Sequence, residues 1–249
     1  YGLPYQIELL KQHNLKGVFF IEPLFALRFG QQALDDIVGM VREGGQEVQL
    51  HLHTEWVDEA RESIFSGVKS KRQHLRYFSL SEQTTLIAKG VELMQRAGVY
   101  DLNAFRAGSF AFNRDTLPAL AANNIVFDSS YNASMFGLDS GLMPGIQLVE
   151  PVVCDGVYEY PMTVFNDGTN ALRHAQLTAC SFSELEGLLW RALEKRRNAF
   201  VLLSHSFELL NKAKNRVDEV VLGRFQKLCR FLDRNRDSFR VTGFQGLTP

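Results

Sequence analysis

Apolar residues along this chain follow two alternating rhythms. Short continuous runs of four or five are separated by longer stretches in which apolar positions recur at helical spacing. The first rhythm reads as buried strands and the second as amphipathic helices. Residues 4–13 predict a helix, with Pro4 in its first turn. Gly17-Val-Phe-Phe-Ile21 predicts a buried strand. Residues 33–43 predict a second helix, with Leu34, Ile37, Val38 and Val41 on one face and Gly44-Gly45 as its stop. A strand follows at 47–51. Residues 61–80 lack a clear period and read as an inserted loop with a helical turn. Ser79 and Glu82 have capping-box spacing and open a helix through Ala97, ended by Gly98.

The second half repeats the alternation. Strands are expected at 103–106, 125–128, 157–161, 200–204 and 239–242. Helices are expected from Asn113 as cap to Asn123, from the Ser181/Glu184 capping box to Arg197, and over 217–235. Residues 131–154 are rich in glycine and turn residues and read as irregular. No linker-like tract interrupts the series. Repeated strand–helix units imply parallel strands with helices outside. The expectation is one α/β domain over 1–249, a closed or nearly closed barrel, with its chemistry at the C-terminal ends of the strands.

Composition narrows the function. The 249 residues can bury one large core, and a net charge of −1 gives no general drive toward nucleic acid. Local basic runs at 69–72 and 195–197 read as solvated helix ends. Cys154, Cys180 and Cys229 are widely spaced and odd in number, which argues against a disulfide framework and for a reducing, cytoplasmic setting. No apolar run approaches the roughly 20 residues of a membrane span. No signal peptide is visible, and the chain opens at Tyr1 without methionine. Oligomeric state is left open.

The polar residues at the predicted strand ends carry the chemistry. Val48, Leu50 and Leu52 alternate with Glu47, Gln49, His51 and His53, so the two imidazoles share a face of the strand. Glu55 follows where the chain should leave it. Two nitrogens and a carboxylate converging there suit a divalent metal ion such as zinc. Other strand ends present Glu22, Arg106, Asp128-Ser-Ser130, Pro161-Met-Thr163 and Ser204-His205-Ser206. Glu22 could line the site or cap a helix beginning at Pro23, and Asp128 could join the site or cap the next turn. Trp56, Phe110 and Tyr131 could stack on a ligand ring or belong to the core.

In order, these segments resemble the polysaccharide deacetylase family, the nodulation-protein-B homology group also called carbohydrate esterase family four. Phe19-Phe20 after Lys16-Gly17 resembles its Ala-Thr-Phe-Phe strand, and Gly44-Gly45-Gln46-Glu47-Val48 the Ala-Gly-His-Glu-Ile leading into its metal histidines. Phe105-Arg106-Ala107-Gly108 resembles its Arg-any-Pro motif, and Leu203-Ser204-His205 its Leu-any-His motif. The resemblance implies a distorted (β/α) barrel and metal-dependent removal of N-acetyl groups from a carbohydrate. His205 would be the general acid, and Arg106 would orient the catalytic carboxylate.

Two departures stand out. The family's second motif spaces its histidines four apart, whereas here the residue four after His51 is Glu55 and the additional histidine is His53. The second metal ligand is therefore His53 or Glu55. The His-any-His form followed by Glu-Trp resembles a subgroup linked to surface-polysaccharide biosynthesis. The residues before Phe19-Phe20 also contain no aspartate, although the family's first motif supplies its base ahead of this strand. The expectation is a missing start, with the first barrel strand and the base upstream of Tyr1. Two further readings remain: a catalytically inactive carbohydrate-binding barrel, or another metal-dependent barrel hydrolase. The latter would need ligands such as His74 or His174, both in apparent loops.

Overall fold

A computed structural model of the protein describes residues 2–65, 71–169 and 171–248. Lys69 and Ser70 of the first basic run lie outside these residues. The centre is a six-stranded sheet in the order β1-β2-β3-β4-β6-β5. Its strands are β1 (Val18–Ile21), β2 (Glu47–Leu52), β3 (Ala104–Ala107), β4 (Phe127–Asp128), β5 (Val152–Cys154) and β6 (Val157–Glu159). The first four and β6 pair in parallel, and β5 joins β6 antiparallel at the edge. A hairpin of β7 (Val164–Asn166) and β8 (Leu172–His174) stands apart from the sheet.

Among the described residues seven α-helices accompany the strands: α1 (Leu3–Gln12), α2 (Ala26–Phe29), α3 (Gln31–Glu43), α4 (Leu80–Arg96), α5 (Thr116–Ala121), α6 (Phe182–Glu194) and α7 (Glu219–Arg234). Both capping boxes form: Ser79 and Ser181 accept from the backbone of Glu82 and Glu184, whose carboxylates accept in return. Asn113 does not cap α5, which begins later at Thr116 and is shorter than its period suggested. The Asn113 side chain instead accepts from Gln83 at 2.9 Å.

Strand alternation divides the side chains into two layers. Leu50 and Phe105 pair in register and pack outward against helical residues such as Leu34, Leu86 and Leu120. Phe20, Ala104, Phe127, Tyr158 and Tyr160 face the other way and close around Phe244. Part of this inner layer is polar. The amide of the fully buried Gln49 donates to Asn103 Oδ1 at 2.7 Å and accepts from the Ala104 N–H at 2.8 Å. A second apolar cluster joins α1, α6 and α7 through Leu9, Leu185, Leu189, Phe225 and Leu228.

The expected strand at 239–242 is absent. Its residues cross one end of the barrel instead. Phe239 and Val241 join the second cluster, and the Phe244 N–H donates to Glu47 at 2.9 Å. Gly243 lies so close to Glu47 that a Cβ would fall 1.8 Å from its carboxylate. Residues 200–204 form only a single parallel bridge, Leu203 with Gln176, rather than a full strand. Among the described residues the sheet is therefore an open, distorted barrel with β1 at its edge. Helix α1 reaches toward the 200–204 segment there, where Gln6 Nε2 donates to Ser204 Oγ at 3.1 Å. No helix among the described residues is long and apolar enough to cross a membrane, and all three cysteines are free.

Candidate active site

Parallel register brings the strand-end residues together. His51 on β2 pairs with Arg106 on β3, and Arg106 reaches across to β4, donating from Nε to Ser129 O at 3.0 Å and from Nη2 to Ser129 Oγ at 2.9 Å. On the other side, β1 pairs with β2 through Ile21 and Leu50, so Glu22 is next in chain after the last paired residue. Sequence reasoning placed these residues at neighbouring strand ends, and the structure does assemble them.

The imidazoles of His51 and His53 stand 4.8 Å apart, edge to face. His51 Nδ1 lies 2.5 Å from the Arg106 carbonyl oxygen. A carbonyl can only accept, so Nδ1 carries the proton and Nε2 keeps its lone pair. Burial, the neighbouring His53, and the charges of Arg106 and His205 push the His51 pKa down to about 3, so the ring is neutral. His53 Nδ1 lies 2.9 Å from Glu55 Oε1, which leaves Nε2 of His53 free in the same way. Glu55 therefore sits on the far nitrogen of His53. Two imidazoles, each with Nδ1 turned to an oxygen and Nε2 open, are the donor arrangement that a divalent metal site uses. The described residues contain no group of three or more His, Cys, Asp or Glu side chains close enough to hold an ion. The pair could supply two donors of such a site.

Gly108 makes this arrangement possible. A Cβ there would fall 2.7 Å from Leu52 O and 2.9 Å from the His53 ring. Directly after it, Ser109 and Phe110 both adopt positive φ, 55° and 57°, a strained turn of the kind that gathers at functional sites. It seats Phe110 in the interior with Met162 and Leu203.

Glu22 takes the capping role. Its oxygens accept from the Leu24 N–H at 2.8 Å and the Phe25 N–H at 3.0 Å. Burial nevertheless raises its pKa to about 8, against the pull of these N–H groups and of the His53 backbone, and with nearby Glu55 adding to the rise. The Arg106 guanidinium lies 4.5 Å from the Phe20 ring centre and has no carboxylate within ion-pair distance among the described residues. Burial lowers its pKa to about 10, partly offset by Asp128 and Glu159. Asp128 is in register with Phe105 and so belongs to the outward layer, away from the histidines.

His205 follows the Leu203 bridge and is close enough to His51 to perturb it. Its ring is half-exposed and stacks on Phe207 at 5.1 Å. Nδ1 lies 2.8 Å from Glu208 Oε1. Glu208 also accepts from Gln176 Nε2, Gln176 Oε1 lies 2.9 Å from His174 Nε2, and His174 Nδ1 lies 2.9 Å from Ser134 Oγ. Burial of Glu208 would raise its pKa, but the hydrogen bonds from His205 and Gln176 hold it below the ordinary carboxylate range. Glu208 is thus an anion that fixes the His205 ring and leaves its Nε2 outward.

Sequence reading missed Glu208, Gln176 and His174 as a network. The spacing of three between His205 and Glu208 was the available signal; the rest depends on β8, which brings His174 and Gln176 alongside Leu203. His174 therefore stands on and beyond a strand, not in a loop. Tyr131 is fully buried with its hydroxyl on Ile146 O at 3.2 Å, a core role, and Trp56 packs edge-on against Phe29 at 5.6 Å.

No protein-family model matches the chain, and no curated protein is similar to it. Solved structures are. One is a protein from Mycobacterium smegmatis described as a polysaccharide deacetylase. It is 19% identical with a TM-score of 0.55, over 96% of this chain and 73% of that one. Another is a family 4 carbohydrate esterase from Streptomyces lividans in complex with acetate, 13% identical, TM-score 0.49, over 91% and 79%. A third is a pseudoenzyme of the same family from Bacillus anthracis, 12% identical, TM-score 0.49, over 94% and 58%. The chain has the polysaccharide deacetylase fold.

Proposed function

We propose that this protein is a metal-dependent hydrolase that removes N-acetyl groups from a carbohydrate. The observation that carries the reading is the pairing of two histidines whose Nδ1 atoms are held by oxygens and whose Nε2 atoms are open with a third histidine, His205, whose Nδ1 is fixed by a buried carboxylate. His51 and His53 would hold the ion, with Glu55 orienting His53. Held there, a divalent ion such as zinc would supply an activated water and a polarised amide carbonyl. His205, its Nδ1 held by Glu208, would give an Nε2 proton to the sugar nitrogen as the amide C–N bond breaks, and Glu208 would stabilise the imidazolium while that proton is held. Arg106 presents a desolvated cation beside His51, suited to hold a carboxylate in a fixed direction.

The test is release of acetate from N-acetylated oligosaccharides by zinc-loaded protein, with and without a chelator. His51→Ala should lose the metal. His205→Ala should keep it and lower kcat by roughly 10²–10⁴, the usual worth of an acid–base group. Full metal occupancy in His51→Ala, or unchanged turnover in His205→Ala, would defeat the assignment.

A second reading, a carbohydrate-binding barrel without hydrolysis, is favoured by one observation. No carboxylate among the described residues stands free beside the imidazoles: Glu22 is closed on backbone N–H groups and Glu55 on His53. Saccharide binding without acetate release by the metal-loaded protein would select it.

A further inference from the structure

The rim of the site is lined by exposed apolar residues interleaved with cations that lack ion-pair partners. Tyr77 is 58% exposed and stacks on His74, whose ring meets Phe136 at 5.3 Å. Arg76 lies over the same Phe136 ring and donates to Asp139 O. Met135 and Leu138, 41% and 52% exposed, flank Phe136 in the chain. Ser134 next to them bonds His174 and so connects this arc, through Gln176 and Glu208, to His205. Beyond His205 lies Phe207, 52% exposed, with the Lys214 ammonium 5.2 Å from its ring centre.

Lys214 belongs to a tight loop. The Leu210–Val217 antiparallel bridge closes it, and the Asn211 side chain accepts from the N–H groups of Asn215 and Arg216. The loop exposes Lys212, Lys214 and Arg216. None of these three, nor Arg76, has an ion pair among the described residues. Against these four cations stand exposed Asp139 and Glu219. Glu208 is engaged with His205, and Asp218 with the Val220 and Val221 N–H groups at the start of α7.

We infer that this rim docks on an anionic phospholipid surface. Large apolar side chains exposed beside unpaired lysines and arginines are the combination that seats a protein at the headgroup boundary: the apolar groups enter it and the cations meet the lipid phosphates. Met135 and Leu138 are aliphatic and, unlike the rings of Tyr77 and Phe207, offer no flat face for a sugar, so the mixed rim with its cations fits a lipid boundary better than a saccharide platform. The Ser134–His174–Gln176–Glu208 network on one side and Phe207 on the other connect this surface to His205, so docking would bring His205 to a substrate displayed at the membrane. This goes beyond the hydrolase reading and does not depend on it.

Vesicle co-sedimentation tests it, using large unilamellar vesicles of phosphatidylcholine alone or mixed with phosphatidylglycerol. The protein should sediment with the anionic vesicles, weakly with the neutral ones, and less as salt rises. Tyr77→Asp with Leu138→Asp should lower vesicle partitioning at least tenfold while leaving acetate release from a short soluble saccharide unchanged. Replacing Lys212, Lys214 and Arg216 with Gln should lower partitioning on anionic vesicles roughly a hundredfold, from the usual worth of a basic residue near a charged membrane. No binding to either vesicle, equal binding to both, or unaltered binding by the Tyr77/Leu138 variant overturns the inference. So does a stable dimer, by light scattering, that the same variant dissolves, because a second copy would then be what covers the rim. Failure of acetate release on every substrate, with vesicle binding intact, would count against the hydrolase reading alone.

Discussion

Replacing Glu159 with glutamine should make the protein less sensitive to alkali, and the size of the effect follows from the packing. Asp128 and Glu159 pair in register on β4 and β6, and both are fully buried. One oxygen of each is satisfied: Ser130 Oγ donates to Asp128 Oδ1 and the Tyr131 N–H to Glu159 Oε1 at 3.0 Å. The other two, Asp128 Oδ2 and Glu159 Oε2, have no donor. A proton held between the carboxyl groups satisfies both. Burial raises the Asp128 pKa to about 6 even though Glu159 and Ser130 donate to it, and burial together with Asp128 raises Glu159 well above its ordinary value. At neutral pH the pair therefore holds one proton, on Glu159.

The folded state keeps that proton where the unfolded chain, with a glutamate pKa near 4.3, has released it. Stability from the raised pKa is fully present below the unfolded value and is lost as pH climbs toward the folded one, at about 1.4 kcal/mol per pH unit for each retained proton. The amide of Glu159→Gln can donate to Asp128 and accept from Tyr131 without retaining any proton. Urea unfolding at pH 6.5 and 8.5 should show the variant gaining on the parent between the two conditions, by at most about 1.4 kcal/mol per pH unit for the one retained proton. Glu22, also raised by burial, titrates in both proteins and cancels in the difference. A stability difference that stays constant across that range would refute the shared proton.

Gly108→Ala should destabilise the fold by about 1–3 kcal/mol, the usual cost of overpacking, because one of its new neighbours is the Leu52 carbonyl and cannot turn aside. It should also weaken zinc binding, measured by titration against a chelating dye; unchanged affinity would show that the His53 ring position does not matter to the ion. Glu208→Gln should retain metal and lower kcat, by less than the roughly 10²–10⁴ of His205→Ala, with a displaced pH–rate profile; a profile superimposable on the parent's would reduce Glu208 to packing. Arg106→Met should leave stability within about 1 kcal/mol in urea titrations, since the desolvation of a buried cation offsets the loss of its bonds to Ser129. It should abolish acetate release, and loss of both together would make Arg106 a structural residue.

Much of the fold was readable because its signals are local. The two capping boxes, the glycine stops and most of the four-residue apolar runs each fix an element without reference to distant residues, and those elements form; the run at 200–203 makes only a bridge. The failures have physical causes. Residues 239–242 have strand composition but pair with no strand among the described residues; Phe239 and Val241 pack in the second apolar cluster, and Gly243 and Phe244 plug over Glu47. The irregular reading of 131–154 overlooked β5, although Asp155-Gly156, both at positive φ, is a strong hairpin turn. The β7–β8 hairpin was passed over in the same way, at Asn166-Asp-Gly168.

The same division explains the site. His51, His53 and Arg106 were legible because strand alternation assigns them to a face and parallel register then aligns them, with His51 opposite Arg106. Orientation was not legible. Which nitrogen of His51 stays free depends on a carbonyl 55 residues away, and the free nitrogen of His53 depends on a carboxylate two residues on. His205 sits beside its own carboxylate in the chain, yet the amide that steadies Glu208 comes from Gln176, 32 residues earlier. Residue type and spacing chose the participants. The orientations that leave Nε2 open on all three rings come from hydrogen bonds that only the folded chain supplies, so the oxygens on the three Nδ1 atoms belong to the proposed chemistry as much as the imidazoles do.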